Sequence, residues 1–259
     1  MIDCHTHLGD ASFDADREAV VARAQHAGVR AMALMGQDAA ENETVLALCG
    51  GRPEFLAFLG LHPDRFADRA PAPEPAEVDA VAAMIEAHAG RITGIGEVGL
   101  DYWVCADEAR REAQRDTLRR WVALANTHDL PLNVHSRSAG HYTIDLLLEA
   151  GARRVLMHAF DGKAGHAMRA AEAGFVFSIP PSIVRSPQKQ KLARALPMHA
   201  LALETDSPVL GPEKGVRNEP ANLPLVVGAL AEIKGLAPQA IMEQTTATAT
   251  ALFRLNGAD

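Results

Sequence analysis

Short, nearly unbroken apolar runs recur along the chain, each followed by a longer stretch of helical periodicity. The runs are Ile2–His5, Val29–Met35, Phe55–His62, Ile92–Glu97, Leu132–His135, Val155–His158, Phe175–Ile179 and Leu201–Glu204. Such runs, several rich in Val, Ile or Phe, suit parallel strands buried on both faces. Between them, Ala15–Ala27 ends at Gly28, Val78–Ala89 at Gly90 and Lys163–Ala173 at Gly174. A glycine just past a helix is the expected left-handed cap. Ala106–His128 is long and charged, and Asn222–Lys234 and Pro238–Arg254 follow the last strand. This alternation over 259 residues predicts an α/β fold, a (β/α)8 TIM barrel occupying residues 1–259 as one domain. A doubly wound open sheet is the alternative, but no G-x-G-x-x-G follows a strand and no P-loop occurs. The stretch Pro71–Pro75 reads as a loop between a strand and its helix.

Composition narrows this further. With 48% hydrophobic and 22% charged residues, disordered and collagen-like chains are excluded. Cys4, Cys49 and Cys105 form no C-x-x-C pair, which fits a reducing compartment. The opening MIDCHTH has no signal-type apolar run, and no stretch nears the ~20 apolar residues that cross a bilayer, so the expectation is a cytoplasmic protein without a membrane or an obligate protein partner. A net charge of −8 repels nucleic acid as a whole, so a phosphate-bearing substrate needs a local positive centre.

The polar residues at strand ends carry the chemistry. His26, His88 and His128 lie in last helical turns, where an imidazolium suits the helix dipole. His5, His7, His62, His135 and His158 instead end strands, joined by Glu97 and, just past the eighth strand, Asp206. The carboxyl ends of barrel strands converge on one mouth, where active sites are built. Residues i and i+2 of an extended segment share a face, so the H-x-H pair His5 and His7 can turn onto one cation. Four histidines (5, 7, 135, 158) and two carboxylates (97, 206) exceed one tetrahedral site and suit two divalent ions sharing a carboxylate. Mixed donors favour Zn, Mn, Fe or Ni over Ca, with Mg also accommodated.

The motifs DCHTH (Asp3–His7), GLHP (Gly60–Pro63), GIGEVGLDY (Gly94–Tyr102), NVHSR (Asn133–Arg137), MHAFDG (Met157–Gly162) and LETDSP (Leu203–Pro208) resemble the TatD-type metal-dependent deoxyribonucleases, a branch of the metal-dependent hydrolase barrels. SRSAG, IPPSI and LGPEKGVRNEP look like a vertebrate branch of that family and its bacterial relatives. The resemblance implies that His5, His7 and Asp206 hold one metal, His135 and His158 the other, and Glu97 bridges them, with Mg, Mn or Zn as the ion. It also implies that His62 and Arg137 meet the scissile phosphate. Many relatives read HCFSG where this chain has HAFDG, so Ala159 and Asp161 replace a Cys and a Ser; an added carboxylate could alter metal preference or repel a polyanion.

The expected reaction is hydrolysis of DNA phosphodiester bonds by metal-activated water, 3'-5' exonuclease-like, with Glu97 and Asp206 catalytic and Asp206 the general base. Arg137 offers a planar fork to phosphate oxygens. Glu204 points to the other face of its strand and can only support a ligand. Arg110, Arg111, Arg115, Arg119 and Arg120 interleave with Glu108, Glu112 and Asp116, which reads as a salt-bridged face and favours single strands or duplex ends as substrate. Tyr102 and Trp103 either stack a base or pack their loop. In the loop Thr205–Pro220, Arg217 and Asn218 read as anchors of a proline-stiffened lid. Two alternatives stand: a small-molecule amidohydrolase or phosphoesterase of the same barrel type, and a metal-binding barrel without catalysis. Many amidohydrolases bridge their metals with a carbamylated Lys, and none of the lysines (163, 189, 191, 214, 234) ends a predicted strand.

Overall fold

The structure, a computed structural model, describes residues 1–69 and 71–255. Eight parallel strands lie in sequence order: β1 (Ile2–Thr6), β2 (Ala31–Met35), β3 (Phe55–Leu59), β4 (Gly94–Gly99), β5 (Leu132–His135), β6 (Val155–Met157), β7 (Val176–Ile179) and β8 (Leu201–Leu203). The helices are α1 (Arg17–His26), α2 (Ala39–Cys49), α3 (Pro75–His88), α4 (Glu108–His128), α5 (Gly140–Glu149), α6 (Ala164–Glu172), α7 (Pro187–Ala195), α8 (Leu223–Lys234) and α9 (Pro238–Phe253). At the end of β1 and just past β8, the Asp206 N–H donates to the His5 carbonyl and the His7 N–H to the Ser207 carbonyl, both at 2.8 Å, closing the ring. This is the expected (β/α)8 barrel.

Alternation along the strands builds two cores. Ile2, Cys4, Ala33, Met35 and Phe58 fill the barrel interior, while Met32, Leu34, Ala57 and Leu59 pack outward beneath the helices. Both strand faces are therefore apolar, as a parallel sheet under helices requires. Helix α9 closes the far end with Leu252 and Phe253, whose ring meets Phe58 edge-on at 5.1 Å.

Three helices were not expected: α2, α5 and α7. Helices α2 and α7 bury few apolar side chains, Val45 in α2 and Leu192 and Ala193 in α7, so no long apolar stripe marks them, whereas α5 buries Ile144, Leu146 and Leu147 but starts with no side-chain cap. Local chemistry starts two of them instead. Asp38 accepts from the Glu41 N–H at 3.0 Å, and Ser186 from the Lys189 N–H at 3.4 Å with Pro187 following. Gly28 (φ 85°) and Gly174 (φ 91°) take the expected left-handed conformation, but Gly90 does not. There the His88 carbonyl accepts from both Arg91 (2.8 Å) and Ile92 (3.0 Å), which ends α3 without a left-handed residue.

Strand limits shift in ways that matter for the site. β3 stops at Leu59, leaving His62 on the loop that enters a short 3-10 turn at Pro63–Phe66. β4 runs past Glu97 to Gly99, and His158 and Glu204 lie just beyond β6 and β8.

Candidate metal centre

Two strands carry bulges, and both bulges sit at the candidate ligands. In β1 the register runs Asp3↔Met32 and then Thr6↔Leu34, one extra residue on β1. In β4 it runs Ile95↔Leu132 and then Val98↔Val134, one extra residue on β4. A bulge breaks the period of two and re-aims a side chain. Cys4 thus lies in the interior core while the next residue, His5, also turns inward and reaches Asn133 across the barrel. Glycines let the backbones pass this closely. Gly99 has φ 147°, and a Cβ there would sit 2.0 Å from the His135 carbonyl oxygen.

The bulges gather donors around Glu97, which is 2% exposed. Glu97 Oε2 lies 3.4 Å from His5 Nε2 and 3.3 Å from His7 Nε2. Glu97 Oε1 lies 2.8 Å from His135 Nδ1, 3.4 Å from His62 Nε2 and 3.6 Å from His158 Nε2. Asp206 Oδ1 is 3.6 Å from His5 Nε2 and 3.5 Å from His7 Nε2, and those two nitrogens are 3.1 Å apart. Donors held ~2.0–2.2 Å from one cation in a tetrahedron stand about 3.3–3.6 Å apart. The His5, His7 and Glu97 Oε2 set matches that spacing closely enough to hold a divalent ion, with Asp206 Oδ1 on the same two imidazoles. On ligand-atom proximity, His5–His158–Asp206 and His62–Glu97–His135 are further candidate groups.

The surroundings orient each imidazole. The His5 Nδ1 edge meets Asn133 Oδ1 at 2.8 Å, and Asn133 Nδ2 donates to the Cys4 carbonyl at 2.8 Å. His158 Nδ1 meets Glu204 Oε2 at 3.0 Å, and His135 Nε2 meets Asp101 Oδ2 at 2.9 Å. A carboxylate or amide behind a ligating histidine sets its tautomer and raises its basicity. Asp3 ties β1 to the turn before Asp206, accepting from Thr205 N at 2.9 Å and Thr205 Oγ1 at 2.5 Å. Burial pushes the Asp3 carboxyl up to about 7 against those bonds. Asp206 itself has φ 55°, a left-handed conformation that Asp tolerates. Asn133, Asp101 and Asp3 lay inside motifs read for other residues. Their partners are 128, 34 and 202 positions away, so spacing alone carried no signal for them.

Charge is concentrated here. Burial raises the Glu97 pKa, but the imidazolium charges of His62 and His5 and hydrogen bonding from His135 outweigh it, holding the carboxyl well below its usual range. Burial opposes protonation of His7, yet hydrogen bonding to Asp206 and Glu97 pushes it up to about 10. His62 also rises to about 10, burial being outweighed by the Glu97 charge and by Asp64, whose Oδ1 lies 2.9 Å from Nδ1. Without cations, protons take the positive charge that the carboxylates demand.

A cavity of about 220 Å³ opens over the cluster, and a second of about 400 Å³ adjoins it along His135, His158 and Asp206. Arg137 lines the second cavity, its guanidinium 5.0 Å over the exposed Trp103 ring. Tyr102 packs: its hydroxyl accepts from Arg115 at 2.8 Å and its ring meets Tyr142. Trp103, 67% exposed, keeps a face for a partner. Asp161 belongs to none of the candidate ligand groups among the described residues, and its Oδ2 accepts the Ser138 N–H at 3.2 Å. On α4, Arg115 pairs with Glu108 and Arg119 with Glu112 and Asp116 as expected, whereas Arg120 pairs across to Asp79 of α3 at 2.5 Å. Arg217 bonds Asp16, and Asn218 donates to the Thr205 and Val209 carbonyls at 2.7 and 2.8 Å, so both anchor the loop.

Residues 2–254 match the model of the TatD related DNase family. The chain is 43% identical over 262 residues to human deoxyribonuclease TATDN3, covering 98% of this chain and 94% of that protein. It is 29% identical over 267 residues to the 3'-5' ssDNA/RNA exonuclease TatD of Salmonella typhimurium, covering 98% and 99%. The crystal structure of YjjV, a TatD homolog from Escherichia coli K12, superposes with a TM-score of 0.90 at 26% identity, covering 99% and 98%. With every motif in place on the matching barrel, the chain belongs to the TatD related DNase family of metal-dependent hydrolases.

Proposed function

We propose that this protein hydrolyses phosphodiester bonds of DNA, working from single-stranded or frayed ends in the 3'-5' direction. The observation that carries the reading is Glu97, whose two carboxylate oxygens each face a different set of imidazole nitrogens. In this proposal His5, His7 and Asp206 would hold one divalent ion, His135 and His158 a second, and Glu97 would be shared between them. Such ions, Mg, Mn or Zn, ease deprotonation of the attacking water and offset charge on the phosphoryl oxygens.

The chain's own groups supply the rest. Asp206 turns Oδ1 toward His5 and His7, leaving Oδ2 to accept the water's proton. Its carboxyl is raised by burial but lowered more by His158 and His7, so it starts ionised. Arg137 presents its fork to nonbridging oxygens, and His62, braced by Asp64, directs Nε2 at the same region. Trp103 offers a platform for the terminal base. Pairing of the α4 arginines supports ends over a long duplex footprint. The three cysteines are free thiols, which supports a cytoplasmic setting.

A small-molecule amidohydrolase is the second reading. It is disfavoured because a Glu stands between the two imidazole sets, where many amidohydrolases carry a carbamylated Lys. The test is chelator-stripped protein refilled with Mg, Mn or Zn and given end-labelled single-stranded DNA, with His135→Ala as the contamination control. Metal-dependent loss of terminal nucleotides, absent in the variant, supports the proposal and gives the polarity. No cleavage by metal-replete protein moves the reading to a small phosphoester or amide, and inertness toward those leaves a metal-binding barrel.

A further inference from the structure

The larger cavity beside the cluster is lined by polar groups that the proposed hydrolysis leaves unused. Lys189, in the first turn of α7, is 8% exposed. Its ammonium donates to the Ala159 carbonyl at 3.0 Å and forms no ion pair among the described residues. An ammonium carries three N–H donors, and a buried cation with one neutral acceptor is costly unless something else completes its shell. A structural tie to one carbonyl needs no charge; a neutral donor would serve.

One neighbour on the same wall shares this incompleteness: Ser136 is 3% exposed, and its Oγ has no hydrogen-bond partner among the described residues. Beside it the exposed Arg137 guanidinium stacks on Trp103 and forms no ion pair among the described residues. Lys189, Ser136 and Arg137 all line the one cavity of about 400 Å³, next to His135, His158 and Asp206. Buried polar groups in native proteins are almost always satisfied, so the unpartnered Ser136 hydroxyl and the singly bonded Lys189 ammonium along one cavity wall mark the place of a ligand. Two cations and a hydroxyl are the complement of a tetrahedral oxyanion.

We infer that Ser136 and Lys189 complete, with Arg137, a phosphate-binding subsite in that cavity, so that Lys189 touches the substrate's phosphate. This rests on the phosphodiesterase reading for its biological ligand but is testable without it. Burial lowers the pKa of the Lys189 ammonium, and the negative charges of Glu204, Asp206 and Asp161 offset that only in part, so a bound anion would restore the charge that burial disfavours.

The experiment titrates inorganic phosphate into Mn-loaded wild type, Lys189→Met, Lys189→Gln and Ser136→Ala by calorimetry. Metal content, melting temperature, kcat and KM on a short oligonucleotide are read alongside. Loss of a charge-assisted bond predicts a phosphate Kd and an oligonucleotide KM raised ~10- to 100-fold in both Lys189 variants, and a smaller rise in Ser136→Ala. Metal content and melting temperature should stay at wild-type values, and kcat should change much less than KM. Gln keeps a donor for the Ala159 carbonyl, so it reports on charge even if Met misfolds. Unchanged phosphate affinity in folded, metal-replete Lys189→Gln overturns the subsite. So does loss of metal from that variant, which would assign Lys189 to bracing the His158 loop. Wild type that binds phosphate through Lys189 yet cleaves no oligonucleotide sinks the phosphodiesterase reading and leaves the subsite standing.

Discussion

Glu204 and His158 are locked together from two sides: Oε2 accepts from His158 Nδ1 at 3.0 Å, while Oε1 accepts the N–H of Ala159, the next residue, also at 3.0 Å. Ser178 adds a donor to Oε2 at 2.5 Å, and Glu204 is fully buried. The carboxylate therefore fixes both the ring and the backbone that carries it. Removing a partner of this kind typically lowers metal affinity 10- to 100-fold. Glu204→Gln should lose that much affinity in chelator competition while keeping a native circular dichroism spectrum. Wild-type metal affinity would show that His158 needs no such brace.

Glu97 reaches both sets of imidazoles, one through each carboxylate oxygen. Glu97→Ala should abolish turnover and loosen all bound metal, yet leave the barrel folded, because the side chain contacts only polar groups at the mouth. Retained activity in the folded variant would sink the bridged arrangement.

Protons and metals compete at the mouth. His7 and His62 have pKa values near 10 without metal, burial being outweighed by Glu97, Asp206 and Asp64. His7, a proposed ligand, binds metal only when neutral, and a cation beside Glu97 disfavours protonated His62, so metal must expel protons and apparent affinity should climb from pH 6 to pH 8. In the metal-free protein the sign is opposite: these raised pKa values add stability that is complete below about 6.5 and lost as pH climbs through 10. Calorimetry in buffers of different ionisation enthalpy counts the protons released. Release of none at pH 7 would contradict this account.

Gly99 leaves no room for a side chain. A Cβ would lie 2.0 Å from the His135 carbonyl, at a φ of 147° that other residues avoid. Gly99→Ala should cost roughly 3 kcal/mol or more, or about 6–12 °C in melting temperature for a domain of this size. An unshifted melt would mean that β4 and β5 can part without penalty.

Trp103 is largely exposed beside Arg137, so its loss should leave stability unchanged. Stacking of one base is worth ~1–3 kcal/mol, which predicts a KM for single-stranded DNA raised about 5- to 100-fold in Trp103→Ala. Equal KM values would assign the indole to packing alone.

The barrel was legible in the sequence because strands buried on both faces must be apolar throughout, and eight such runs are hard to mistake. Helices α2 and α7 were not, since each buries too little apolar surface to print a stripe, and α5, although it buries Ile144, Leu146 and Leu147, starts with no side-chain cap to mark it. Histidines and carboxylates at strand ends announced a metal-type site by residue type alone, because charged groups there face a mouth rather than a core. The partners behind them depended on the closed ring: Asn133 behind His5, Asp101 behind His135 and Asp3 beside Thr205 meet across distances in sequence that no spacing rule spans. The two bulges are the sharpest case. Same-face geometry for His5 and His7 follows from a period of two, but which face they take depends on the extra residue in β1, and only pairing with β2 defines an extra residue. Residue chemistry is local and survives in one dimension; register and cross-barrel contact exist only between strands, so they arise when the sheet closes.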